Sequence, residues 1–163
     1  MTAKKSFFQT AAGTVLLAGL AAGTLDILAA FLVYSLIVAN VPPTQILKSI
    51  ASGVFGKQAF AGGAPMAVCG LFFHYIIALS WALLYFLIFP LIPFFKKQRI
   101  VSGLIYGVFV WVMMNLVVLP LSNVNQSPLR LKSALIGAII LMICIGLPIS
   151  LITHRFYASR DLS

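Results

Sequence analysis

Acid is nearly missing from this chain: Asp26 and Asp161 are its only two carboxylate side chains in 163 residues. A mechanism that needs paired carboxylates within one chain is thereby nearly excluded. Cysteine and histidine are as scarce, at two each. Cys69 and Cys144 lie in different apolar runs without C-x-x-C spacing, which reads as packed free thiols rather than a disulfide or a metal site. No G-x-S-x-G is present, and Ser35, Ser52 and Ser80 have no spacing that sets one against His74, so a membrane hydrolase is not expected. Charge is thin overall, at 8% of residues, where soluble domains carry about a quarter.

What fills the chain is hydrocarbon. Apolar residues make up 62% of it and the mean hydropathy is +1.11, the composition of an integral membrane protein whose first partner is the lipid bilayer. The net charge of +9 does not point to nucleic acid, because the eleven Lys and Arg occur in ones, twos and threes beside hydrophobic runs and form no basic stripe. They read as anchors on one face of a membrane.

The organising stretch is the hairpin Ala67 to Ser122: one apolar run (GLFFHYIIALSWALLYFLIFP), the basic turn FFKKQR, and a second run ending NLVVLPLS. Each limb is long enough to cross a bilayer, which takes about 20 residues. Upstream, the apolar stretch from Ala11 to Ala39 far exceeds the roughly 7 to 15 residues of a signal-peptide core and reads as a spanning helix. Pro42 and Pro43 break it, after which Ile46, Leu47, Ile50, Val54 and Phe55 recur at helical spacing opposite Gln45, Lys48, Ser49 and Ser52. That pattern predicts an amphipathic helix at the interface, either a linker or a hinged lid over a cavity. The expected fold is all-α: four transmembrane helices at about 11–39, 66–89, 100–119 and 131–153, with one interfacial helix at about 44–56, in up-down-up-down order. Pro120 is expected to end the third helix, and Pro148 to kink the fourth.

Basic residues set the orientation. With a cytoplasmic N-terminus, Lys4, Lys5, Lys96, Lys97, Arg99, Arg155 and Arg160 lie inside and Lys48, Lys57, Arg130 and Lys132 outside, seven against four, which places both termini in the cytoplasm.

Small residues set the helix faces. Gly19 and Gly23 form a G-x-x-x-G on the face of Asp26, Gly103 and Gly107 form another, Gly70 accompanies His74, and Gly137 stands in the fourth helix. Such faces pack against helices, so Asp26 is expected to point into the bundle. At a rise of about 1.5 Å per residue, Asp26 lies roughly 15 to 18 Å from the outer end of its helix, His74 about 10 to 12 Å and Asn115 roughly 6 to 8 Å. The three are therefore candidates for one buried polar cluster, with Asp26 and His74 expected to hydrogen-bond. A desolvated carboxyl next to an imidazole suits proton exchange, whereas a fully satisfied pair would only set helix register. His74 and His154 fall at different depths, so one chain cannot hold a haem or a metal between them, and no cofactor is expected.

Gly70 and His74, the turn FPLIPFFKKQR, GLIYG at Gly103 to Gly107 and PLS at Pro120 to Ser122 resemble the YagU-like family of small bacterial inner-membrane proteins. The likeness covers about a third of the chain and implies a bacterial cytoplasmic membrane and four helices; the family lends no catalytic residues. The segment between the first two helices is shorter here than in that family, and Asn115 stands where a polar group of another type is looked for. Two functions are in view. One is a non-enzymatic accessory or assembly protein whose glycine faces dock another membrane protein or a second copy. The other is a small oligomeric transporter or proton-linked permeation unit working through Asp26 and His74. A dense apolar bundle closing over Asp26 favours the first, and a water-accessible path to it the second.

Overall fold

In the computed structural model the described residues are 10–38, 40–124 and 131–161. Ala39, Lys4, Lys5 and Arg130, which enter the helix boundaries and charge tally above, lie outside them. The chain is all-helical, with four helices long and apolar enough to cross a membrane: Ala11–Ile37, Gly63–Leu91, Arg99–Leu121 and Leu131–Arg160. Between the first two runs the amphipathic helix Pro43–Phe55, followed by the short helix Gln58–Ala61. Thr10 caps the first long helix, its hydroxyl accepting from the Gly13 N–H at 3.1 Å. Pro43 opens the amphipathic helix, where a missing N–H costs nothing, and Gly56 closes it at φ +59°, a backbone that favours glycine.

The first long helix packs against the second and the fourth, and the fourth against the third. The second and third, although joined by a short turn, meet through side chains: the Tyr106 hydroxyl donates to the Trp81 carbonyl at 2.7 Å, and Tyr85 reaches Ser102 at 3.0 Å. The amphipathic helix lies along the second long helix, where a side chain at Gly70 would collide with the backbone of Leu47. Its far end is held by the third: the Asn123 N–H donates to the Gly53 carbonyl at 3.0 Å and its Nδ2 to Val54 at 3.0 Å. The bundle thus has two distinct ends, one bearing the basic turn around Lys96 and the other the amphipathic helix.

The third helix ends at Leu121, one residue past Pro120, and the fourth runs through Pro148 to Arg160, past the expected end near Thr153. Each proline follows a π-helical segment, Met114–Val118 and Met142–Gly146. Proline lacks an N–H and its ring crowds the carbonyl four residues back; a widened turn just ahead gives that carbonyl room, so the helix continues through the proline. A third π-helical segment, Phe31–Val38, ends the first long helix before Pro42.

The glycine faces are filled by the chain's own helices. A Cβ at Gly19 would stand 2.9 Å from the Leu79 Cα, and one at Gly23 3.0 Å from the Ala78 Cβ. Gly103 would meet the Gly146 carbonyl at 2.9 Å, and Gly107 the Leu141 carbonyl at 2.7 Å. These contacts bring the first helix onto the second, and the third onto the fourth, at backbone range.

Candidate functional site

Three stripes of residues spaced by four converge towards the amphipathic-helix end. Asp26, Ala30 and Tyr34 come from the first long helix, Trp111 and Asn115 from the third, and Ser133, Gly137 and Leu141 from the fourth; together they line a cavity of about 300 Å³. Residues four apart share a helix face, so each stripe presents one edge to the space. The lining runs from Ser133, which is exposed, to Leu141, about 12 Å deeper at 1.5 Å per residue. A second cavity, of about 190 Å³, lies at the centre of the bundle among Asp26, Ile50, His74, Trp81, Val110 and Met114. Asp26 and Leu141 line both.

The three sequence candidates are brought to these spaces but not into one contact. Asp26 stands at the junction, half-buried, and its carboxyl makes no hydrogen bond among the described residues. His74 is buried and lines only the central cavity. The expected bond between them is not made: His74 Nε2 lies 2.8 Å from the Gly23 carbonyl, and because a carbonyl only accepts, Nε2 carries the proton. The reason is register. Close approach at Gly23 brings its carbonyl to the imidazole, and Asp26 faces the same central cavity as a neighbouring charge without a hydrogen bond to His74. Asn115 lines only the larger cavity; its Nδ2 donates to the Trp111 carbonyl at 2.8 Å, one turn back on its own helix. Gly137 borders the same space, and a Cβ there would lie 3.2 Å from Trp111 Nε1 and 3.9 Å from the Tyr34 hydroxyl.

Trp81, Trp111 and Ser133 line these spaces on the helix faces of His74, Asn115 and Gly137, and Tyr34 is the polar lining residue that sequence reasoning passed over. The spacing of Tyr34 from Asp26 carried a signal. It was obscured because aromatic residues in an apolar run are equally at home facing lipid. Trp81 Nε1 is buried without a protein partner beside the central cavity. Polar atoms in protein interiors are nearly always paired, so this N–H and the Asp26 carboxyl mark a region where the chain does not satisfy itself.

Towards the basic turn the core between the second, third and fourth helices is dense, beside an apolar groove of about 430 Å³ lined by Ala11, Val15, Leu83 and Phe86 between the first and second helices. Tyr85, Ser102 and Ser150 are fully buried and mutually hydrogen-bonded at 2.8 to 3.1 Å, and Ser150 also donates to the Arg99 carbonyl at 2.6 Å. Tyr85 stacks on Phe95 at 5.1 Å and Phe89 on Tyr157 at 4.8 Å. His154 Nε2 donates to the Lys96 carbonyl at 3.0 Å, holding the end of the fourth helix to the turn. Among the described residues no three His, Cys, Asp or Glu side chains come together as a metal site would require. Comparison with protein families, with curated proteins and with solved structures finds no match to this chain, so the site stands on its own geometry.

Proposed function

We propose that this chain is a small multi-pass protein of a bacterial cytoplasmic membrane, with both termini on the cytoplasmic side, that passes protons or a small solute by way of the Asp26 cavity. One observation carries the reading: a carboxyl group with no hydrogen-bond partner among the described residues, set among apolar helices where two cavities meet. An unsatisfied polar group in hydrocarbon costs several kcal/mol, and ionisable groups at such depth mark ion and substrate pathways. The YagU-like resemblance supplies the bacterial setting, and the basic-residue bias the orientation, which turns the cavity towards the periplasm and the dense Tyr85–Ser102–Ser150 end towards the cytoplasm. That is the form of a pathway open on one side only.

Docking of a partner through the glycine faces has less support, since Gly19, Gly23, Gly70, Gly103 and Gly107 already face helices of the same chain. Purified protein in lipid vesicles loaded with a pH-sensitive dye tests the reading. An imposed pH gradient should collapse at least tenfold faster than in empty vesicles, and Asp26→Asn should abolish the difference. Equal rates for protein-containing and empty vesicles, with and without added small solutes, would overturn it.

A further inference from the structure

We infer that the solute held in the Asp26 cavity is a small organic cation, an ammonium group on a compact apolar body. The inference rests on the permeation reading above and names its substrate class. Among the described residues that line the larger cavity Asp26 is the only formally charged one, although the chain carries eleven Lys and Arg. An anion would therefore meet a carboxylate and no Lys or Arg among them, whereas a protonated amine supplies both a charge and the hydrogen-bond donors that the carboxyl lacks among those residues.

The walls point the same way. Tyr34 and Trp111 line the cavity on two different helices, and aromatic faces attract ammonium groups, most strongly where water is excluded. Asn115 adds acceptor capacity, because its Nδ2 is committed to the Trp111 carbonyl and its Oδ1 makes no hydrogen bond among the described residues. A bare metal ion fits poorly, since it asks for several oxygen ligands at short range and here the oxygens of Asp26, Tyr34, Asn115 and Ser133 are spread along three helices. Size limits the body: about 300 Å³ is the lower edge of the roughly 300 to 1,000 Å³ that holds drug-sized ligands, so a simple arylalkylamine is the scale. Gly137 makes this room, since any side chain there would extend from a Cβ 3.2 Å from Trp111 Nε1.

Phenethylammonium is the probe and phenethyl alcohol its neutral counterpart. The chain has two tryptophans, so Trp81→Phe leaves Trp111 as the sole indole reporter in detergent-solubilised protein. Phenethylammonium should change its fluorescence saturably, with the alcohol at least tenfold weaker. Asp26→Asn and Gly137→Val should each weaken ammonium binding at least tenfold, by calorimetry on protein whose helix content is unchanged. In the vesicles, inward phenethylammonium movement should require Asp26. Equal binding of amine and alcohol by the unsubstituted protein overturns charge recognition, whether or not the variants fold. Absence of amine binding while Asp26-dependent proton flux persists overturns the substrate class and leaves permeation standing. Amine binding without any flux keeps the substrate class and overturns permeation.

Discussion

Ser150 and Asp26 are both polar side chains set among apolar helices, yet they keep different company. Ser150 is fully buried and bonds Tyr85, Ser102 and the Arg99 carbonyl. Asp26 is half-buried, bonds nothing in the described chain and faces two cavities. The surroundings differ in kind as well. Near Ser150 the third and fourth helices approach until Gly146 lies against the Gly103 backbone; around the Asp26 cavities, Tyr34 and Asn115 come from the widened π-helical segments Phe31–Val38 and Met114–Val118. Widened turns of this kind recur at functional sites. A polar group satisfied within the chain holds helices together, while one left unsatisfied next to space is available to something else. Thr153 Oγ1, buried and unpaired towards the basic turn, is the exception at the dense end.

The contrast can be broken most sharply with one substitution placed at both ends. Gly103→Leu drives a side chain into the Gly146 carbonyl and the Leu147 backbone beside Ser150, neither of which can rotate away. Overpacking of this kind costs about 3 kcal/mol or more, to be read as a loss of unfolding free energy in detergent. Gly137→Leu meets only the ends of the Trp111 and Tyr34 side chains with the cavity beyond, and should cost about 1 kcal/mol or less. Equal losses would mean that the two ends are packed alike.

Polar deletions should separate them next. Tyr85→Phe removes a hydroxyl bonded to Ser102 and Ser150, which keep each other and the Arg99 carbonyl, so the loss should be about 1 kcal/mol. Asp26→Leu removes a group with no partner and should leave stability unchanged or raise it by up to about 1 kcal/mol while flux disappears, the usual exchange of stability for function. Were Asp26→Leu to cost more than about 2 kcal/mol, the carboxyl would be a structural element like Ser150. The smallest effect expected is the coupling of Asp26 and His74. Because His74 is bonded to the Gly23 carbonyl, a double-mutant cycle of Asp26→Asn and His74→Leu should give an interaction below about 0.5 kcal/mol, and a value above about 1.5 kcal/mol would show that they pair.

Composition and run length were enough for the all-helical architecture and the four long apolar helices, since a segment of that length and hydropathy has few other ways to satisfy its backbone in lipid. Glycine spacing was enough to say which faces would permit close approach, because that depends only on the absence of a Cβ; whether the neighbour would be this chain or another lay beyond it. The end of the third helix was legible at Pro120 to within one residue, whereas the fourth runs to Arg160 past the end expected near Thr153, where Phe156 and Tyr157 pack on Phe86 and Phe89 of the second. The company of Asp26 was likewise a tertiary matter. Depth along an axis is legible from residue number, but rotation and neighbour choice come from how helices interlock. The close fit at Gly23 gave the His74 imidazole to a backbone carbonyl, while the fourth helix, lying between the first and third, set Tyr34, Trp111 and Asn115 around the carboxyl that His74 did not take.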